Sequence, residues 1–312
     1  MDGVLIIDKA AGMTSHDIVA RARKVIGERR IGHTGTLDPF ATGVLVLLVG
    51  RATRIAQFLS GAEKEYEAVI RLGYATDTGD VTGQRLEPAS HANSQSPQSL
   101  RQEQIESVIT SLRGEIEQIP PMYSAKKVAG RKLYEHARRG EEVDRQPVSV
   151  TIHEFELLTP QEGFLAGDGG SLDIQVRVVC SAGTYIRTLA EDLGKELGVG
   201  AHLIELRRTR AGRFQIDTAM TLEKLAEAVA QNKLADAFIS PQAALSHLPS
   251  IDLDDEQLRR TLHGLALMMN DHDLSLSDGD PVRLSKDKQL VAIGKYHAEQ
   301  RTIRPAIVFT SA

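Results

Sequence analysis

The sequence predicts an α+β fold: a mixed, mostly antiparallel sheet with flanking helices, followed by a small β-rich module. Three observations predict it. Several segments alternate apolar and polar residues, as where Tyr66, Ala68, Ile70 and Leu72 alternate with Glu65, Glu67, Val69 and Arg71. Others carry apolar residues at helical spacing, as at Ile186, Leu189, Ala190, Leu193 and Leu197. Beyond about Pro249 the pattern changes to short strand-like pieces, which marks a domain boundary. No fixed-period repeat or solenoid spacing competes with this reading.

Val4 to Ile7 is a short apolar run ending at Asp8-Lys9. A turn through Ala10-Ala11-Gly12 leads into Thr14-Ser15-His16-Asp17, a capping-box pattern that opens a helix with Ile18, Ala22, Val25 and Ile26 on its buried face. Val44 to Val49, bounded by Gly43 and Gly50, suits a strand buried on both faces, although periodicity alone also permits a helix. Ala52 to Leu59 is predicted helical, and the strand at 65–72 turns Tyr66 toward the core or a cleft. Pro88 to Gln104 reads as a surface connection, and a helix follows through Ile105, Val108, Ile109 and Leu112. Pro120-Pro121 stops regular structure, and Tyr123 to Arg145 is a basic excursion from the sheet. Strands resume at Val148, Val150 and Ile152 and again from Ile174 to Cys180, then a polar turn at Ser181 to Tyr185 enters the helix ending before Gly198. Leu222 to Ala230 is the last long helical pattern, and Val282 to Leu284, Val291 to Ile293 and Ala306 to Phe309 are the terminal strand pieces.

The 312 residues allow two domains, and 41% hydrophobic with 25% charged residues is the composition of an ordinary globular chain. A single cysteine, Cys180, excludes an internal disulfide, a cysteine-rich zinc site and an iron–sulfur cluster, and reads as a buried small hydrophobe in a reducing compartment. No apolar run has the length of a membrane span and Met1-Asp2-Gly3 does not open a signal peptide, so a cytoplasmic location is expected. The net charge of −5 gives no hint of nucleic acid, but three basic clusters stand out. They lie at Arg21 to Arg30, at Lys126 to Arg139 and at Arg207 to Arg213, and they indicate phosphate binding only if they converge in space.

Gly32-His33-Thr34-Gly35-Thr36-Leu37-Asp38-Pro39-Phe40-Ala41-Thr42-Gly43 packs three glycines, a proline, a histidine and an acid into a dozen positions. By residue type alone, Asp38 before Pro39 fits a helix N-cap with proline at the first helical position. The other reading is a rigid loop that presents the Asp38 carboxylate into a cleft with His33 nearby. A phosphate-cradling loop is disfavoured, because neither a Walker sequence nor a Rossmann glycine triplet is present.

The Gly-His-x-Gly-x-Leu-Asp-Pro-x-Ala-x-Gly string resembles the catalytic motif of TruB-type pseudouridine synthases, which isomerise uridine 55 in the T loop of tRNA. Companion segments fall in the family's order: Gly3 to Asp17, Ala52-Thr53-Arg54, Lys64-Glu65-Tyr66, Thr76 to Asp80, Pro120 to Ala125 and Cys180 to Arg187, so that the resemblance covers most of residues 1–215. One departure is Lys9-Ala10-Ala11-Gly12, where the family usually has Lys-Pro-x-Gly. The resemblance implies that Asp38 is the nucleophile, Tyr66 an active-site tyrosine and Arg187 the partner of the aspartate. It implies substrate contacts for His33, Arg54, Tyr185 and Leu206. It further implies a catalytic domain over 1–245 with a thumb at about 120–147 that clamps RNA, and a PUA-like RNA-binding domain over 246–312.

Such an isomerisation breaks the N1 glycosidic bond and rejoins the same base through C5, so no cofactor or metal is expected. A uracil stacked in a loop is out of reach of a recessed carboxylate and must be flipped out at a cost of a few kcal/mol. The expected partner is tRNA, through its T loop and acceptor arm, with neither a membrane nor an obligate protein partner. Two rivals remain at this level: an RNA-folding chaperone without chemistry, and the guide-dependent branch of the same superfamily.

Overall fold

The computed structural model describes residues 1–86, 96–124, 126–128, 130–160, 164–269 and 276–309. Its main sheet runs in the order Gly3–Lys9, Thr42–Val49, Ala201–Ala211, Lys64–Leu72, Leu172–Cys180, Val148–Leu157, Gly114–Gln118. Neighbours are antiparallel except Thr42–Val49 and Ala201–Ala211, which run parallel and pair in register at Arg207 opposite Thr42 and Arg208 opposite Gly43. The two strands then diverge, and residues 35–41 lead the chain into Thr42 at that split.

The unbroken apolar run Val44 to Val49 is a strand, and its two faces explain why it does not alternate. Leu45, Leu47 and Val49 join Leu5 and Ile7 in a core shared with Ile18 and Ala22 of the Ser15–Ile26 helix. Val44, Val46 and Leu48 join Val4 and Ile6 in a second core closed by Phe214, Leu290, Ile293, Ile307 and Phe309. A strand covered on both sides has no polar face to show. The Lys64–Leu72 strand is covered on one side only: Tyr66, Ala68, Ile70 and Leu72 point inward, whereas Glu65 faces Arg177, Thr209 and Arg210 on the open side.

The predicted helix start at Thr14 holds. Thr14 and Asp17 form the capping box of the Ser15–Ile26 helix, which ends at Gly27 in the left-handed conformation with its N–H on the Arg23 carbonyl. The helical segments Ile186–Glu196 and Leu222–Ala230 lie where spacing put them. Residues 52–59 divide into a tight helical turn, Gly50–Ile55, and a short helix, Ala56–Ser60. Of the expected 88–104 connection, 88–95 lie outside the described residues, and the helix begins at Gln102. The excursion after Pro121 carries a hairpin, Lys127–Val128 with Arg131–Lys132, and a helix, Leu133–Ala137. No helix among the described residues is long and apolar enough to cross a membrane.

Gly43 fixes the split. Its φ is +99°, and a β-carbon there would press into the Arg208 carbonyl and lie 2.8 Å from the Arg208 nitrogen. Gly43→Ala therefore combines left-handed strain of about 1–3 kcal/mol with a clash against backbone that cannot swing away. The expected result is a urea midpoint lowered by more than about 2 kcal/mol of stability, measured at equilibrium.

The last part of the chain forms a second sheet in the order Ser250–Asp252, Pro281–Lys286, Gln289–His297, Thr302–Val308, Leu267–Met268. It has a core of its own around Leu253, Leu267, Val282, Leu284, Val291 and Ile303. Arg51 donates to the Phe309 carbonyl and Arg54 to the Val308 carbonyl, tying this sheet to the helical turn at 50–55.

Candidate active site

Asp38 does not cap a helix: residues 38–41 make a turn, with the Ala41 N–H on the Asp38 carbonyl at 3.1 Å, and the chain then enters a strand. Both neighbours of Asp38 are clamped. On one side the Ser15 hydroxyl accepts from the Leu37 N–H at 2.9 Å and donates to the Leu37 carbonyl at 3.2 Å. On the other, the Pro39 carbonyl accepts from Lys9 Nζ at 3.1 Å and from the Gly12 N–H at 2.8 Å. Lys9 is fully buried, spends its remaining donors on the carbonyls of Ala10 and Met13, and is pushed down to about 8 by burial while Asp38 pulls it back up. It still carries most of its charge at neutral pH.

The Ile186–Glu196 helix brings Arg187 to the carboxylate from its first turn. Nε donates to Asp38 Oδ2 at 2.9 Å and Nη2 to Oδ1 at 3.3 Å, a forked pairing that fixes the plane of the acid. Two further guanidinium protons go to the carbonyls of Thr78 at 2.8 Å and Tyr123 at 2.7 Å, and Asp80 stands 3.8 Å away. Arg187 is 5% exposed and Asp38 33%, so the pair is open only on the acid's side. Burial raises the Asp38 carboxyl above its ordinary 3.8, the Arg187 charge pulls it back and Asp80 adds to the rise.

That open side is a cavity of about 270 Å³ with Asp38, Tyr66, Tyr185, Arg187 and Leu206 all on its wall. It has room for one nucleoside rather than a duplex. Tyr66 is buried, and burial pushes it up, with the Arg208 charge pulling it back, so that it stands as a neutral phenol at physiological pH. Tyr185 precedes the helix, where its N–H donates to the Gln118 side chain at 2.9 Å, and burial pushes its phenol up. Leu206 lies opposite Ala68 in the sheet and packs beside Tyr66 in the core. A larger groove of about 690 Å³ crosses the sheet's other face between Phe40, Val81 and Leu158. Its carboxylates, Glu67 and Glu205, have no guanidinium aimed at them, so the chemistry points to the smaller cavity.

His33 and Arg54 are not brought to that wall. His33 lies on the Ile31–Thr34 strand with its ring edge-on to His16 at 5.5 Å and its Nδ1 buried without a partner. Burial pushes it down to about 4, with His16, Arg208 and Lys132 adding. Between its ordinary 6.5 and about 4 the unfolded chain binds a proton that the folded chain refuses. The stability contributed by neutral His33 is thus whole above 6.5 and is lost as pH falls toward 4. The urea midpoint should decline across that window, and His33→Gln should flatten the decline. Arg54 turns instead to the terminal sheet, with Nη1 on the Val308 carbonyl at 2.6 Å and the guanidinium 5.9 Å from the Phe309 ring.

The basic clusters converge only in part. Lys126 and Arg208 reach the cavity and Lys132 stands near His33, but Arg207 pairs with Asp8 and Arg210 with Glu65 on the open face. Four residues of the site are not singled out by the sequence: Lys64, buried, and Arg208 on the cavity wall, Lys9 on the Pro39 carbonyl, and Asp80 beside Arg187. Asp80 was visible as the end of the Thr76–Asp80 string, whereas Lys9 and Lys64 look like ordinary strand-end lysines until their burial is seen.

Comparison with known proteins agrees with this geometry. The profile described as TruB family pseudouridylate synthase, N terminal domain, matches residues 23–186, and that of the tRNA pseudouridylate synthase B C-terminal domain matches 187–248. The chain is 42% identical over 310 residues to tRNA pseudouridine synthase B of Geobacillus thermodenitrificans, covering 99% of this chain and 100% of that one. It is 45% identical over 267 residues to the protein of that name from Bacillus cytotoxicus, covering 86% and 84%. Among solved structures, a Cbf5-Nop10-Gar1 complex contains a chain that superposes with a TM-score of 0.72 at 29% identity, covering 99% of this chain and 85% of that one. A clamped carboxylate forked by a buried arginine at a nucleoside-sized cavity, in a chain matched from end to end, places the protein: it belongs to the TruB family of pseudouridylate synthases.

Proposed function

We propose that the protein converts uridine 55 in the T loop of tRNA to pseudouridine, with Asp38 as the nucleophile that opens the reaction. The supporting observation is the Asp38 carboxylate itself, braced through Leu37 and Pro39, forked by Arg187 and open to a cavity for one nucleoside. The exchange is internal: the bond from C1′ to N1 breaks, the base turns, C1′ bonds to C5, and the C5 proton is lost while N1 gains one. Nothing is oxidised and nothing is consumed. Because the cavity admits a base but not a helix, the target nucleotide must leave its stack, and Tyr66 and Leu206 offer the flat and apolar surfaces that receive it.

In this reading Tyr185 contacts the flipped nucleotide from the helix side, and His33, neutral and set back from the cavity, supports the RNA loop from which the base has left. Arg54 acts on RNA only indirectly, by holding the terminal sheet. The basic stretch 120–147 is the thumb that meets phosphates, and 246–312 is a PUA-like module on the acceptor-arm side, the catalytic domain being 1–245. The test is direct: purified protein and an unmodified tRNA transcript, without metal or nucleotide, followed by carbodiimide modification and primer extension. A stop at position 55 is the expected result. Tight binding without a stop would favour the folding-chaperone or the guide-dependent reading, and a stop elsewhere would overturn the site assignment.

A further inference from the structure

Four cations and one carboxylate line the nucleoside cavity: Lys64, Lys126, Arg187 and Arg208 against Asp38. Uridine is neutral, so neither the wall nor the base balances that excess of positive charge. Three of the cations already serve the protein. Arg187 forks Asp38, Lys64 donates to the carbonyls of Ser60 and Ala62, and Arg208 donates to the carbonyls of Val44 at 2.7 Å and Gly35 at 3.0 Å. Lys126 is the exception, with no side-chain hydrogen bond or ion pair to any described residue. A second unspent group lies two residues before it. Ser124 is 6% exposed, and its hydroxyl is buried on the same wall without a hydrogen-bond partner. A buried hydroxyl left unsatisfied is costly, and this one faces a cavity from which an acceptor can arrive. Backbone bonds hold the roots of both side chains. The Tyr123 carbonyl accepts from Arg187 at 2.7 Å, the Ser124 carbonyl from the Tyr134 N–H at 3.1 Å and the Lys126 carbonyl from the Leu133 N–H at 2.8 Å. The guanidinium that forks Asp38 thus also anchors the strip that carries Ser124 and Lys126.

We propose that Ser124 and Lys126 form a phosphate subsite inside the cavity, which takes a phosphodiester flanking the flipped uridine. A hydroxyl and an ammonium are donors of the kind that hold phosphate oxygens, and the phosphodiester is the anion that a nucleotide brings in with its base. The target is then seated at two points, its base against Tyr66 and Leu206 and its phosphate against the root of the thumb. The inference rests on the pseudouridine synthase reading of the cavity and gives one phosphate of that substrate a place in it. It is testable without turnover.

Uridine 3′,5′-bisphosphate carries the base together with both flanking phosphates. In a chemical-shift titration it should bind the wild type at least about 10-fold more tightly than uridine does, the scale of hydrogen bonds to a charged group. Lys126→Met should bring the two ligands within about 3-fold of each other, and Ser124→Ala should remove about 3–10-fold of the preference. With tRNA, Lys126→Met should reduce the slope of log affinity against log salt by about 1, the mark of one lost phosphate contact. A bisphosphate that binds the wild type no better than uridine, a preference that survives Lys126→Met, or an unchanged salt slope would each overturn the proposal. Equally tight binding of adenosine 3′,5′-bisphosphate or of inorganic phosphate would do the same, because the anion would then be held without a uracil beside it. A wild-type protein that shows the Lys126-dependent preference yet leaves tRNA unmodified would overturn the functional reading instead and keep the subsite.

Discussion

Asp38→Asn is expected to reduce pseudouridine formation by at least about 10,000-fold, the scale seen when a nucleophile is removed from a preorganised site, while tRNA affinity stays within a few-fold of wild type. Asparagine keeps the size of the side chain and an acceptor for Arg187, so the loop braced by Lys9 and Ser15 should hold its shape. Single-turnover assays of isomerisation and filter binding of the same tRNA separate the two effects. Residual turnover close to wild type would remove Asp38 from the chemistry. In the wild type the sign of the pH dependence follows from burial. The carboxyl titrates above 3.8, so the ionised form and the rate are lost as pH falls through that raised value, and the acid limb lies above the limb of an exposed aspartate.

Arg187→Met should have the next largest effect, and it should appear in stability as well as rate. The guanidinium is the cation between Asp38 and Asp80 and also satisfies the carbonyls of Thr78 and Tyr123. Its loss leaves two acids facing one another beside a cavity and two carbonyls without that donor. Breaking a buried pair from one side costs about 3–5 kcal/mol, read as a lowered urea midpoint. The rate at neutral pH should fall by about 1,000-fold or more, in part because the Asp38 carboxyl loses the charge that pulls it down. Arg187→Lys should recover part of the stability and little of the rate, since a point charge cannot fork the carboxylate. A Met variant with a normal midpoint would show that the pair carries no structural weight.

Local order was legible where a single periodicity or cap decided it. The capping box at Thr14 and Asp17, the inward face of Tyr66 and the helix beginning at Ile186 needed only neighbours in sequence, and each lies where its pattern put it. The dozen residues around Asp38 marked the right loop, yet residue type alone equally suited an N-cap. What excludes the cap is tertiary: Ser15 and Lys9 hold Leu37 and Pro39, and the chain goes on into a strand. The strand at 44–49 was ambiguous for the same kind of reason, because the two layers that cover it come from distant parts of the chain. Arg208 was hidden in a run of three arginines whose other members take the open face, a distinction that only the strand pairing reveals. Arg54 could not be told from a substrate-facing cation until the terminal sheet closed over it.

The core that Val4, Ile6, Val44 and Val46 share with Ile293, Ile307 and Phe309 gives the two sheets a common fate. The back of the strand that follows the catalytic loop is roofed by side chains from the far end of the chain. Losing that roof would lay bare the most apolar strand in the protein. The terminal sheet is therefore not a detachable accessory. A lineage that replaced or discarded it would first have to rebuild the outer surface of Val44, Val46 and Leu48 with polar residues, so the terminal sheet and the strand that leaves the Asp38 loop can change only in step.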